Sequence, residues 1–205
     1  MGHSRRSHLA LVQAGARFSP SLRRRARELR TMNGVKLHFG CGPRILPGWL
    51  NVDGWRRAKG VDYVCDLRQP LPLRDGTCRL IFTQHVLDEI DPQLLPAIMR
   101  ELYRLLEPRG TIRIVVVDCE RAIDAYVRND LAAVAEFPGC RDRGDLLNAF
   151  FHDHFRRFVF DRGSITRLLR EAGFSSIRES SHQGSLIEAL RQDTGGPARD
   201  LGKAL

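Results

Sequence analysis

The stretch from Val35 to Asp53, VKLHFGCGPRILPGWLNVD, constrains the fold more than any other part of this chain. Val35, Leu37 and Phe39 alternate as a buried strand would, and Gly40-Cys41-Gly42 then breaks the pattern. Two glycines allow backbone angles closed to other residues. At the end of a parallel strand, such a turn lets a ligand lie against the main chain. Trp49-Leu50-Asn51-Val52 reads as a second short strand, with Asp53 at its C-terminal end. A carboxylate at that point is placed to accept both hydroxyls of a ribose. Together the turn and the acid indicate a site for a nucleoside-type cofactor.

The missing residues narrow the choice. A dinucleotide fingerprint requires G-x-G-x-x-G, whose third glycine packs a full helix on the strand. Here Ile45 occupies that third position, after Pro43-Arg44. Nine residues separate Phe39 from Trp49, whereas a parallel crossover usually takes a dozen or more. The first crossover helix must therefore shrink to a turn or two. Asp53 lies 13 residues after Gly40, short of the roughly 20 of NAD-type sites. No G-x-x-x-x-G-K-[ST] phosphate loop is present. A phosphate-free adenosine ligand fits better than a pyrophosphate.

Further along, the chain reads VDYVCDLRQPLPLRDGTCRLIFTQHVLDEI (61–90), ELYRLLEPRGTIRIVVVD (101–118) and FDRGSITRLLREAGF (160–174). With the opening block, these segments resemble the class I S-adenosylmethionine-dependent methyltransferases, in particular a compact branch with a GCGxxxxPGWxNVD-type opening. The resemblance spans residues 35–180. It implies an α/β, Rossmann-like, mostly parallel sheet with helices on both faces, and S-adenosyl-L-methionine as cofactor.

From residue 35 onward, strand and helix patterns alternate, as such a sheet requires. Strands are expected at 35–39, 49–52, 62–65, 79–83, 111–117 and 174–179. The clearest amphipathic helix is 93–106, with Pro92 in its first turn. A second helix is expected over 120–137, stopped by Pro138-Gly139, and a third over 164–172, with Gly173 at its C-terminus. Ser19-Pro20-Ser21 suits the start of a short helix through about residue 30. Residues 1–30 form a basic extension, 31–190 the main domain and 191–205 a loosely ordered tail.

The net charge of +9 belongs mostly to the extension, whose eight arginines face a single acid, Glu28. A segment of this kind suits RNA or an anionic surface, or else a solvated entry helix. No aromatics are interleaved with the arginines to stack bases. With 42% hydrophobic residues the chain can bury a sizeable core. Its apolar runs fall short of a membrane span, and Leu9–Val12 is too short for a signal-peptide core. A cytoplasmic protein is expected. Five cysteines without a C-x-x-C pair argue against a disulfide framework or a zinc knuckle, and no metal site is expected.

The resemblance assigns roles residue by residue. Phe39, Gly40, Cys41 and Gly42 would pass under the methionine and ribose parts of the cofactor, and Asp53 would hold the ribose hydroxyls. Asp66 would meet the adenine amino group, with Asp62 as the competing choice, and Leu67 would contact the ring face. Gln84 and His85 would touch the cofactor at the end of the fourth strand. Where the family pattern resembles EHVLEH, this chain reads QHVLDE. Glutamine thus replaces the first acid and Glu89 the second histidine. Arg79 stands where an aspartate commonly opens that strand.

Methyl transfer from a sulfonium is an in-line displacement, so alignment contributes up to about 7–11 kcal/mol in ideal cases. An oxygen or nitrogen acceptor also calls for a nearby base. His85, His152 and His154 are the candidates, since histidine titrates near neutrality. Within FFHDHFRRFVFD (150–161), Arg156 competes for the place of a family histidine. The family's closing antiparallel strand has no clear counterpart after 174–179. That would leave an unpaired sheet edge, which invites association with another chain or with the Arg-rich N-terminus.

Three functions follow in order of preference. The first is a methyltransferase acting on O or N of a small-molecule or glycan-type acceptor. The second is a non-catalytic cofactor-binding partner or regulatory protein. The third is a methyltransferase acting on RNA.

Overall fold

The computed structural model describes residues 20–54, 59–135, 139–152 and 156–194. The chain divides into two compact units: residues through Thr83 with Ala97–Ile112, and Gln84–Pro96 with the residues from Arg113 onward. Five strands form one sheet: β1 (Val35–Phe39), β2 (Leu50–Asp53), β3 (Tyr63–Val64), β4 (Cys78–Gln84) and β5 (Leu106–Val115). Their order is β3-β2-β1-β4-β5. The pairs β1–β2, β1–β4 and β2–β3 are parallel. This is the Rossmann-like α/β fold expected from the alternating pattern.

In the first unit, α1 (Pro20–Leu29) places Pro20 at its start and buries Leu29. Leu37, Phe39, Val52, Ile81 and Phe82 form the apolar interior of the central strands. Ile81 and Phe82 are consecutive, as in a strand covered on both faces, whose apolar positions run on without alternating. No helix occurs among residues 40–49, so the shortened crossover holds in its extreme form. Helix α2 (Leu95–Leu105) follows a 3-10 turn at Pro92–Leu94 and runs straight into β5. Gly110 marks a close approach, since a Cβ there would meet Glu107 O and Leu106 Cδ2 at 2.9 Å.

In the second unit, α3 (Cys119–Arg128) is capped by Asp118, whose carboxylate accepts from Glu120 N at 3.0 Å. The expected helix over 120–137 does not run through. Asn129 adopts a left-handed conformation with φ 53° and ends it, as asparagine can at low cost. A short α4 (Leu131–Ala135) follows, then α5 (Arg143–His152). Ala122, Phe150 and Val117 pack together, as do Ala125, Val134 and Leu146, joining these helices. Pro138, the expected stop, lies outside the described residues.

Helix α6 (Arg162–Ala172) starts in a reciprocal cap, with Ser164 N donating to Asp161 Oδ1 at 2.6 Å and Asp161 N to Ser164 Oγ at 3.0 Å. Hydrogen bonds from the Ser164 side chain and N–H hold the Asp161 carboxyl below its ordinary range. Gly173 closes the helix at φ 111°, where only glycine is unstrained. The strand expected at 174–179 is absent; those residues are irregular. Their pattern FSSIRE offers few apolar residues to face a sheet. The C-terminal segment is instead held by side chains, described below.

Candidate functional site

The glycine turn follows β1 directly. Gly40 and Gly42 have φ of 73° and 53°, so both glycines are needed for the backbone path. Gly40 N and Cys41 N donate to Val52 O at 2.9 and 3.1 Å, which fastens the bend to the end of β2. Gly42 N donates to Asp53 Oδ2 at 2.7 Å. The Asp53 carboxylate therefore faces the bend, as the sequence pattern required. An ideal Cβ at Gly42 would meet nothing within 4 Å, so the turn borders open space beside that acid. Cys41 fills the inner side of the bend, and burial pushes its thiol up to about 12, helped by Asp53. It is a packing residue with no thiolate chemistry near neutrality.

Asn51 holds the helix-free crossover in place, a role the sequence reading did not assign. Its Oδ1 accepts from Leu46 N at 2.9 Å, and its Nδ2 donates to Leu46 O, Trp49 O and Asp62 Oδ2 at 3.1, 3.0 and 3.1 Å. Because Oδ1 accepts, the His38 Nδ1 lying 3.2 Å away must be the protonated nitrogen. Burial lowers His38 to about 4, against the raising effect of the Asn51 bond. The ring is thus neutral. The signal for this hub was present in the motif, as an asparagine inside an otherwise apolar strand.

Asp66 is buried. Its carboxylate takes both Arg68 Nε and Nη2, at 2.8 and 2.9 Å, along with Arg68 N at 3.1 Å. Leu67 is half-buried beside it. Asp62, the competing choice, accepts from Asn51 N at 2.8 Å and from the Asn51 amide. It serves the β2–β3 junction.

In the second unit, His85 is half-buried with φ 53°, and its N–H donates to Val115 O at 2.9 Å. A left-handed non-glycine residue at a strand end is strained by about 1–3 kcal/mol, a feature that clusters at functional positions. Gln84 forms hydrogen bonds with Thr194, taken up below. Asp88 is buried, with Arg156 Nε 3.6 Å from its carboxylate, and its carbonyl accepts from Arg157 N and Phe158 N at 2.7 and 3.2 Å. The Arg156 side chain also donates to Ala149 O and Phe150 O and lies over the Phe150 ring. Arg156 therefore ties the turn after β4 to the end of α5. His152 is exposed at the end of α5, and Glu89 and Arg79 are exposed as well. His154 lies outside the described residues. A groove on α6, lined by Arg162, Thr166, Arg167 and Arg170 among others, contains none of the expected site residues.

Among the described residues, no group of three or more His, Cys, Asp or Glu side chains is arranged to hold a metal ion. None of their helices is long and apolar enough to cross a membrane.

Residues 3–179 match a family model described as a methyltransferase domain. A SAM-dependent methyltransferase from Archaeoglobus fulgidus is similar in structure, with a TM-score of 0.53 at 17% identity over 84% of this chain and 72% of that one. A possible exported protein from Bordetella parapertussis gives 0.50 at 16% identity, over 80% of this chain and 64% of that one. At these identities the likeness concerns the fold alone. No match was found among curated protein sequences.

Proposed function

The chain belongs to the methyltransferase-domain family, and on that premise we propose that it binds S-adenosylmethionine and methylates O or N of a small-molecule or glycan-type acceptor. The observation that carries this reading is the Asp53 carboxylate fixed over the glycine bend by Gly42 N at 2.7 Å. The residues present fit the cofactor: an acid to accept hydroxyls, a turn with two half-buried glycines, and open space beside Gly42. When bound, the cofactor supplies an electrophilic methyl on a sulfonium.

In this reading the turn from Phe39 to Gly42 bears the ligand and Asp53 orients its ribose by charge-assisted bonds. Asp66 and Leu67 border the adenine, with Arg68 sharing the Asp66 carboxylate. Gln84 and His85 contribute from the end of β4. His85 is the preferred base because its backbone is held rigidly by Val115 O, with His152 and His154 as the other candidates. Five free cysteines support a reducing compartment such as the cytoplasm.

Calorimetric titration with S-adenosylmethionine and its demethylated product tests the assignment. Asp53→Ala should weaken binding by about 1.5–3 kcal/mol, the range for hydrogen bonds to charged groups. Unchanged affinity would remove the cofactor site from this position. A second reading, a cofactor-binding protein without turnover, is favoured by the exposed Glu89 in place of the family histidine. Binding without methylation across a broad acceptor panel would select it.

A further inference from the structure

The Gln84 side chain forms hydrogen bonds as a strand edge would. Its Nε2 donates to Thr194 O at 2.9 Å, and its Oε1 accepts from Thr194 N at 3.1 Å and from Thr194 Oγ1 at 3.3 Å. One carboxamide thus matches both backbone groups of a residue 110 positions away. Only asparagine or glutamine offers a donor and an acceptor side by side for this purpose. Glutamate, the residue of the resembling pattern at this position, is acceptor-only when ionised and would face the Thr194 carbonyl with like charge.

The neighbouring residue explains why Thr194 is there to be met. Asp193 is buried and pairs through both oxygens with the buried Arg113 of β5, Nε lying 2.7 Å from Oδ1 and Nη2 in close contact with Oδ2. Arg113 also donates to Ser180 Oγ at 2.5 Å and Ser181 O at 3.0 Å. Gln183 N donates to Asp193 Oδ2 at 2.8 Å and Gln183 Nε2 to Asp193 O at 3.2 Å. Residues Ser180–Thr194 are therefore tied to β5 by an ion pair and to the end of β4 by an amide.

We propose that Gln84 is a positioning residue that clamps the C-terminal segment onto the end of β4, and that this clamp fixes the Gln84–Val86 turn for the cofactor. The side chain acts through Thr194, and it is the backbone of the turn that the cofactor reading assigns to the ligand. The inference rests on the cofactor reading above. It also accounts for the glutamine in QHVLDE, because the amide is required by Thr194.

Two measurements on the full chain decide it: amide hydrogen exchange over residues 183–194, and the Kd for S-adenosylmethionine. Gln84→Glu, although it restores the residue of the resembling pattern, should speed exchange across that segment at least tenfold and weaken binding at least tenfold. If Gln84 instead touched the cofactor directly in the usual way, the same variant would keep its affinity and leave exchange unchanged. That result would overturn the proposal. Faster exchange with unchanged Kd would also overturn the positioning role. Gln84→Met, uncharged and of similar length, should release the segment equally if the glutamate variant fails to fold. A wild-type protein that binds no cofactor would defeat the cofactor reading and the positioning role with it, while the exchange arm would still decide the clamp.

Discussion

The crossover between β1 and β2 and the C-terminal segment after α6 both run as irregular chain where a regular element was expected, a helix in one case and a strand in the other. Irregular backbone cannot satisfy its own polar groups, so each segment needs a buried anchor. The crossover uses a neutral one, the Asn51 carboxamide, with partners 2 to 13 residues away. The C-terminal segment uses a charged one, Arg113–Asp193, across 80 residues. The Asp193 carboxyl shows the balance directly. Burial alone would raise it, but the Arg113 bonds and Gln183 N–H bring the net shift below its ordinary value. A neutral anchor asks little of its surroundings, whereas a charged one must be matched in full or not used at all.

That contrast is most exposed by removing half of the ion pair. Arg113→Ala strands the Asp193 carboxylate and should cost about 3–5 kcal/mol in urea unfolding. The double variant Arg113→Met with Asp193→Leu should recover most of it. A single variant costing under about 1 kcal/mol would mean that water reaches the pair, and the contrast would fail.

Asn51→Ala should cost somewhat less, about 3 kcal/mol, because it leaves buried backbone groups of Leu46 and Trp49 without their partner. The same denaturation experiment reads it. Should the loss match the Arg113 single variant, the neutral anchor would be no cheaper to break than the charged one.

His38 gives the next effect, through pH. Its folded pKa is depressed from 6.5 to about 4, so its contribution is complete above the unfolded value and is lost as pH falls toward the folded one. Between pH 7 and pH 5 the unfolded chain gains the proton and stability should drop by about 2 kcal/mol. His38→Asn should flatten that slope. A wild-type profile already flat over the interval would place the ring in water.

The smallest effect belongs to α1, where Glu28 pairs with Arg24 at 3.5 Å and Arg25 at 3.1 Å on an exposed surface. Glu28→Ala should change stability by less than about 0.5 kcal/mol. A larger loss would show that burial is not what sets the cost at Arg113.

The same contrast explains what the sequence disclosed. The crossover anchor and all of its partners except Asp62 lie within one motif, so the turn, Asp53 and the loss of the helix could be read from spacing. The end of α6 was legible from Gly173, whereas its start at Arg162 was placed two residues late because the Asp161 cap went unread. The break at Asn129 was missed, since 120–137 keeps a helical pattern through a residue that is tolerated inside a helix. The fate of 174–194 was illegible for a different reason. Arg113 sits in the apolar run TIRIVVV, where alternation alone would send it to solvent, and its partner lies far along the chain. The Gln84 substitution was visible, but its explanation depended on Thr194.

The buried thiols have a practical consequence. Burial pushes Cys78 up to about 12 as it does Cys41, and raises Cys65 and Cys119 in the same direction. Protonated sulfur alkylates slowly, so in the native protein the buried Cys41 and Cys78 react chiefly when their own surroundings open. Pulse alkylation with peptide mapping would then time the opening of the glycine bend, through Cys41, separately from that of the start of β4, through Cys78, using reporters the chain already carries.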